Sequence, residues 1–306
     1  MIYFNVSGGE TFISARDDQG LIMNLDFYPP KRKIGFRSLI SLEGILPSDI
    51  FEIIIESERL AATRRLKEKN AFFEKKTAIL FTDKPQSVQR IAFERAAFFF
   101  GGQAIVIPVD RKDDRTAALK NIISAAKTGV DAVFVDIDGI EKASLPTDLP
   151  IINADSLNSP IFALAALLTA KREFNSLRNI VVKTVEDGKP SDVSVAFAKA
   201  NAELILYSAK DSFDEKDVLY LSQFTSVTVE SGAVKSKPHD LLLYNSSSPL
   251  DLLQTVFKET KKIIASTFNQ TASLINSENA FDLSFSAALS TEDVVAAILS
   301  LISAGN

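Results

Sequence analysis

The sequence predicts an α/β fold: two doubly wound parallel-sheet domains linked by a long helix, with the C-terminal helix returning to the first domain. Three observations predict it. The chain has 306 residues, about twice the length of a typical domain. Short apolar runs that do not alternate, as in strands covered on both faces, recur between stretches of helical periodicity. This alternation stops at one long apolar helix and then starts again.

Taken in order, residues 1–36 read as an N-terminal extension. Ile2–Val6 and Leu21–Leu25 have short-strand character, separated by Gly8-Gly9 and Asp17-Asp18-Gln19-Gly20. They read as a hairpin leading into a linker punctuated by Pro29-Pro30-Lys31-Arg32-Lys33, a solvated joint. The first domain is expected over 37–160. Asp49 with Glu52 three residues later caps a helix whose Ile50, Ile53, Ile54 and Leu60 share one side. Thr77–Thr82 is a buried strand. Pro85 opens a helix carrying Val88, Ile91, Ala92, Ala96 and Phe99, closed by Gly101-Gly102. Ala104–Ile107 is a strand, 116–127 a helix ending at Gly129, and Asp131–Val135 and Pro150–Asn153 two further strands.

The long helix runs from Pro160 to about Phe174. In the second domain, 161–287, the strands are Asn179–Val182, Ala202–Tyr207, Val227–Val229 and Asp240–Tyr244, with helices near 191–200, 214–222 and 249–262. The tail, Thr291–Ser303, is a capped amphipathic helix with Val294, Ala297, Ile298 and Leu301 on one face. It lies in the segment 288–306 that returns to the first domain.

Composition excludes much chemistry. The net charge of −5 and pI near 5.2 offer nothing to a nucleic-acid backbone or an anionic membrane. With no cysteine there is no disulfide, thiolate nucleophile or cysteine-held metal, and the single histidine, His239, removes any site needing two imidazoles. His239 reads as a loop residue just before a strand; no Gly-x-Ser-x-Gly elbow presents a nucleophile to it. Only 12 glycines are present and no glycine-rich phosphate motif occurs. No metal and no cofactor are expected. Of 27 aromatics, 22 are Phe and none is Trp, which suits core filling rather than sugar or base recognition. No apolar run approaches a membrane span and the start lacks a signal pattern, so a cytoplasmic location is expected.

Two segments carry a resemblance. Gln86-Ser87-Val88-Gln89-Arg90-Ile91-Ala92-Phe93-Glu94, followed by Phe100-Gly101-Gly102, stands at a strand-to-helix junction. Leu149-Pro150-Ile151-Ile152-Asn153-Ala154-Asp155 precedes Ser159-Pro160-Ile161-Phe162. In this order and spacing, over about residues 36–306, the chain resembles the aspartate/ornithine carbamoyltransferase family, nearest its aspartate-specific catalytic chain. The family carries Ser-Thr-Arg-Thr-Arg-x-Ser-Phe-Glu at the first segment and His-Pro-x-Gln at the second. Arg90, Phe93 and Glu94 match the structural members of the first motif, and Pro160 is in register with the second.

The resemblance implies a carbamoyl phosphate dianion seated on the N-terminus of the first motif's helix. The residues that would clamp it are replaced. Ser-Thr-Arg-Thr becomes Gln86-Ser87-Val88-Gln89, a strand-end Arg becomes Asp136, the motif His becomes Ser159 and its Gln becomes Phe162. In the amino-acid subsite, Gly-Arg-Thr is reduced to Gly188-Lys189-Pro190, and Arg-x-Gln falls at Asn245-Ser246-Ser247-Ser248. Each charge-assisted hydrogen bond contributes roughly 1.5–3 kcal/mol. Two lost Arg contacts and one lost His therefore remove on the order of 5–8 kcal/mol, about 10⁴-fold or more.

The implied reading is a catalytically inactive relative acting as a structural or regulatory partner or binding a small anionic metabolite. It would form a homotrimer or a hetero-oligomer with an active transcarbamoylase chain, with Phe98-Phe99-Phe100 as core plus subunit contact. The alternative is a diverged active carbamoyltransferase using Lys84, Lys189 and Arg115 as substitute cations. Asp136 and Asp138 read as a solvated strand end, and Arg111-Lys112 with Arg115 as a solvated loop.

Overall fold

The computed structural model describes residues 2–7, 10–16, 22–24, 34–65, 71–84, 86–109, 124, 129–137, 149–155, 159–178, 180–186, 188–208, 213–231, 238–244, 260–265 and 281–305. Three strands near the start, β1 (Ile2–Ser7), β2 (Glu10–Arg16) and β3 (Ile22–Asn24), form an antiparallel sheet in that order. The expected pairing of the first and last of these is corrected: β2 lies between them. Its register sets Ser7 opposite Glu10, so the Gly8-Gly9 pair in the sequence is a two-residue hairpin signal rather than a separator.

The first parallel sheet has the order β5-β4-β6-β7, from β4 (Thr77–Thr82), β5 (Gln103–Pro108), β6 (Ala132–Asp136) and β7 (Ile151–Asn153). The chain leaves β4 for β5 and returns on the other side to β6. The strand order therefore reverses between β4 and β6, where doubly wound sheets open a crevice beyond their carboxyl ends. The helix Val88–Phe99 follows β4. It is capped by Ser87, whose Oγ accepts from the Arg90 amide, rather than opened at Pro85. Close packing at its far end explains one glycine: a Cβ on Gly102 would lie 2.0 Å from the Phe73 ring. The Pro47–Arg65 helix starts two residues before Asp49. That carboxylate accepts from the Gly35 amide instead of capping, while Ile50, Ile53, Ile54 and Leu60 are buried. The expected helix at 116–127 lies outside the described residues, Ser124 excepted.

The bridging helix spans Pro160–Phe174, capped by Ser159 with Pro160 in its first turn. The second parallel sheet then runs β10-β9-β8-β11-β12-β13, reversing between β8 and β11. Its strands are β8 (Val181–Val185), β9 (Glu203–Ser208), β10 (Val227–Ser231), β11 (His239–Tyr244), β12 (Thr260–Ala265) and β13 (Phe281–Asp282). Helices Asp192–Lys199 and Glu215–Ser222 accompany β8–β10. Three expectations are corrected here. β8 continues through Lys183 and Thr184, polar residues that end an apolar run but are buried by the sheet. Residues 260–262, expected in a helix, belong to β12, whose paired lysines hide its strand character. The tail helix begins at Ser284, so Thr291 is an interior residue donating its hydroxyl to the Ala287 carbonyl, not a cap.

That tail helix packs on the Pro47–Arg65, Val88–Phe99 and Pro160–Phe174 helices. Its stretch Ser286–Ser303 is long and apolar enough to cross a membrane by composition. In the fold, Val294, Ala297, Ile298 and Leu301 are buried against those helices. Charge fixes the register: Asp293 pairs with Arg64 at 2.5 Å and Arg172 at 3.0 Å, and Glu292 pairs with Arg95 at 3.0 Å. Thr169 on the bridging helix donates to Ser290 at 2.9 Å.

Candidate functional site

The carboxyl ends of β4 and β6 meet at the reversal of the first sheet, with Thr82 opposite Asp136 in the register. Asp136 is fully buried, which corrects the expectation of a solvated strand end. Its Oδ2 accepts from the Thr82 hydroxyl at 3.0 Å and the Ser87 hydroxyl at 2.8 Å. Ser87 thus joins two roles, capping the Val88–Phe99 helix and holding the carboxylate against its N-terminus. Lys84 lies between two aspartates, its Nζ 2.9 Å from Asp155 Oδ1 and 3.8 Å from Asp136 Oδ1. Asn153, at the end of β7, accepts the Asp155 amide at 3.1 Å and donates from Nδ2 to the Ile40 carbonyl at 3.1 Å.

Burial pushes the Asp136 carboxyl up to about 6, against the opposing pull of Ser87, Lys84 and Thr82. Its Oδ1 is buried with no hydrogen-bond partner, and Lys84 is the nearby cation. A helix N-terminus favours an anion, and here that anion is the protein's own side chain. Chemically, two carboxylates flank one ammonium, a formal charge of −1 when both are ionised.

Among the other predicted positions, Gln86 is exposed and Gln89 is buried. Val88, the first helical residue, is 43 % exposed. Arg90 pairs with Glu94 one turn on at 3.2 Å, and Phe93 is buried against Phe134 with ring centroids 5.1 Å apart. Ser159 is buried and commits its hydroxyl to the Phe162 amide at 3.2 Å. Pro160 is buried beside it, and Phe162 packs half-buried on the core. Lys189 is exposed next to Gly188, whose φ of 78° suits a residue without Cβ. Ser246 and Ser248 lie outside the described residues, as do Asp138, Arg111, Lys112 and Arg115. Phe98 is 83 % exposed while Phe100 is buried, its ring 4.4 Å from that of Phe72.

The second sheet holds a matching cluster that sequence reasoning missed. Glu186 follows β8 at the β8/β11 reversal, and its Oε1 accepts from Ser191 at 2.9 Å and Ser194 at 2.6 Å. Ser194 also contacts the Thr184 hydroxyl at 2.8 Å. Ser191 is the cap residue of the Asp192–Lys199 helix, yet makes no cap bond with its side chain. Burial pushes Glu186 up to about 7. On the same strand Lys183, fully buried, donates to Glu230 at 2.7 Å, 4.8 Å from the centre of the Tyr207 ring. A lysine inside an apolar strand was the visible signal for this pair; Glu186 and Asp155 look like loop acids in sequence. His239 is a correction: it is the first residue of β11 and buried, at the amino edge of the sheet, away from both clusters.

No protein-family model matches the chain. It is 24 % identical over 212 residues to ornithine carbamoyltransferase of Pyrococcus abyssi, covering 67 % of this chain and 66 % of that one. To ornithine carbamoyltransferase of Listeria monocytogenes it is 28 % identical over 156 residues, 49 % of each chain. The match thus spans from about half to just under two thirds of these relatives, which are ornithine rather than aspartate enzymes. Among solved structures, ornithine carbamoyltransferase from Pyrococcus furiosus has a TM-score of 0.71 at 18 % identity, covering 88 % of this chain and 98 % of that one. Aspartate transcarbamoylase from Trypanosoma cruzi, solved with aspartate and phosphate, has a TM-score of 0.67 at 15 % identity over 89 % and 98 %. The chain thus has the two-domain transcarbamoylase fold, with its two parallel sheets, and is similar in sequence to ornithine carbamoyltransferases.

Proposed function

We propose that this chain is a catalytically inactive carbamoyltransferase-fold protein that acts as a structural or regulatory partner. One observation carries the reading: Asp136, fully buried on Ser87 and Thr82, sets a carboxylate at the helix N-terminus where the resemblance places a phosphate dianion. Like charges at that range repel. Of the substitute cations, Lys84 is engaged by Asp155 and Asp136, and Lys189 is exposed. The Trypanosoma cruzi relative holds two anions, aspartate and phosphate; Gln86, Val88 and Gln89 bring no positive charge to receive them.

The same reading includes self-assembly into a homotrimer or assembly with an active chain. It is supported by the apolar stripe Val88, Ile91 and Phe98, exposed along one helix at spacings of three and seven residues. Titration calorimetry with carbamoyl phosphate, with turnover assays on ornithine and aspartate, tests the catalytic part. No binding and no product are expected. Micromolar binding with turnover above about 0.1 s⁻¹, against an enzyme median of about 10 s⁻¹, would establish the diverged active enzyme instead. Sedimentation tests assembly, and a stable monomer at micromolar concentration would refute the homotrimer.

A further inference from the structure

Residues 38–45 touch both halves. On one side they extend the first sheet: Leu39 pairs with Ile152, its amide donating to the Ile151 carbonyl and its carbonyl accepting from the Asn153 amide, both at 2.8 Å. Ser38 accepts the Ile151 amide through its hydroxyl at 3.1 Å. The Ile40 carbonyl accepts from Asn153 Nδ2. Asn153 is the joint, because its other side-chain atom accepts the amide of Asp155, the residue that holds Lys84.

On the other side the same segment is gripped by the helix Asp192–Lys199. Its first residue, Asp192, accepts from the Ser41 hydroxyl at 2.8 Å and the Leu42 amide at 2.6 Å. Its last, Lys199, donates to three main-chain carbonyls, Leu42 and Glu43 at 2.7 Å and Ile45 at 2.6 Å. Seven residues, about two helical turns, separate the two, so both lie on one face. Tyr220 of the next helix donates its hydroxyl to the Glu43 carbonyl, and the Lys199 ammonium lies 5.6 Å and 5.3 Å from the Tyr220 and Phe224 ring centres. An ammonium has three protons, and all three have carbonyl acceptors in one turn of chain.

We propose that residues 38–45 are a strap that couples the Lys84–Asp136–Asp155 cluster of the first half to the Asp192–Lys199 helix of the second. Every link is a named contact: Lys84 to Asp155, Asp155 to Asn153, Asn153 to Ile40, then Ser41 and Leu42 to Asp192, and Leu42 to Lys199. Between the Ile40 carbonyl and the Leu42 amide there are few soft dihedrals to absorb a displacement. Any ligand, partner or charge change that moves Lys84 is therefore felt at the second half, and by linkage the reverse holds with equal free energy. The strap does not depend on whether the chain is catalytic. Desolvation of both helix ends agrees with a dry junction: it raises Asp192 to about 6 and lowers Lys199 to about 8.

Residue-resolved amide hydrogen exchange on the full chain tests the strap. The variants are Lys199→Met, Asp155→Asn and the double. Lys199→Met is expected to speed exchange at Leu42 about tenfold, the equivalent of one charge-assisted hydrogen bond, and to speed it severalfold at Asn153 and Asp155 as well. Asp155→Asn is expected to speed exchange at Leu42, and the double variant to be less than additive. Leu204–Leu206 in β9 should be unchanged. Effects confined to the mutated end in both single variants, or strict additivity, would overturn the coupling. Should Lys199→Met fail to fold, Ser41→Ala removes the hydroxyl that donates to Asp192 and accepts the Glu43 amide, and must show the same spread to Asn153 and Asp155 for the proposal to stand.

Discussion

The two halves solve the same electrostatic problem with different means. Each sheet reverses its strand order at a point where a helix N-terminus and a buried carboxyl group meet: Asp136 with Ser87 in the first half, Glu186 with Ser191 and Ser194 in the second. Asp136 comes from the neighbouring strand and has Lys84 within 3.8 Å. Glu186 comes from the loop after its own strand, and hydroxyl donors oppose its burial without a cation among the causes of its shift. The Asp136 carboxyl is pushed up to about 6 and that of Glu186 to about 7. The two rises are alike, so in both halves burial outweighs the groups set against it, hydroxyls at Glu186 and hydroxyls with Lys84 at Asp136.

Removing the cation is the strongest way to break the comparison. Lys84→Met should remove the ammonium that lies between Asp136 and Asp155 and destabilise the fold by about 3 kcal/mol, read by chemical denaturation. If Lys84→Met changes stability by under about 0.5 kcal/mol, the range of ordinary surface substitutions, the first half does not rely on its cation.

Acidity tests both carboxyls together. Each has a folded pKa above its unfolded value, so the folded state holds the proton more tightly. Stability therefore falls as pH rises through the window from about 4 to about 6 for Asp136 and from about 4.5 to about 7 for Glu186. The contribution is fully present below the unfolded pKa and lost above the folded one, on the order of 2–3 kcal/mol for each group. Denaturation midpoints should fall between pH 5 and pH 8. Glu186→Gln should flatten the upper part of that fall and Asp136→Asn the lower part. Identical profiles for wild type and Glu186→Gln would show that Glu186 is not a titrating buried acid.

Charge reversal sharpens the contrast further. The pair Val88→Arg with Asp136→Asn changes the local formal charge by +2, one from each position, at the N-terminus of the first-half helix. A weak, salt-dependent phosphate affinity absent from the wild type is expected by calorimetry, without carbamoyl transfer. If a folded double variant binds no better than wild type, that helix terminus is not a latent anion cradle. The smallest effect is expected at Lys189, exposed in the second half: Lys189→Ala should alter stability by under about 0.5 kcal/mol, measured by the same denaturation.

Much of this architecture is legible in the residues. The runs at 77–82, 104–107 and 202–207 are strongly apolar and continuous and all are strands, the first and last buried and the middle one a partly exposed edge strand, and the bridging helix announces itself by Ser159-Pro160 and its apolar length. β8 and β12 are masked in the sequence because Lys183, Lys261 and Lys262 interrupt their apolar pattern. Tertiary pairing makes that tolerable: Lys183 finds Glu230, a residue 47 positions away. The site divides in the same way. Ser87 and Asp136 could be named from the motif, but the burial of Asp136 depends on β4 and β6 being neighbours, which no local pattern encodes.

By itself, then, the sequence determined the element types, the repeat of two α/β halves, the shortage of phosphate-binding glycines and the absence of cysteine chemistry. These follow from local periodicity and from composition, and neither needs a partner residue. Only the tertiary structure decided which charges meet. Asp136 became an internal anion, Glu186 its hydroxyl-held counterpart, and Lys199 the clamp on residues 42–45, because desolvation and hydrogen bonding act through space between segments far apart in the chain. A carboxylate three residues from a turn and one sealed at a helix cap read alike as letters; the dielectric around them does not.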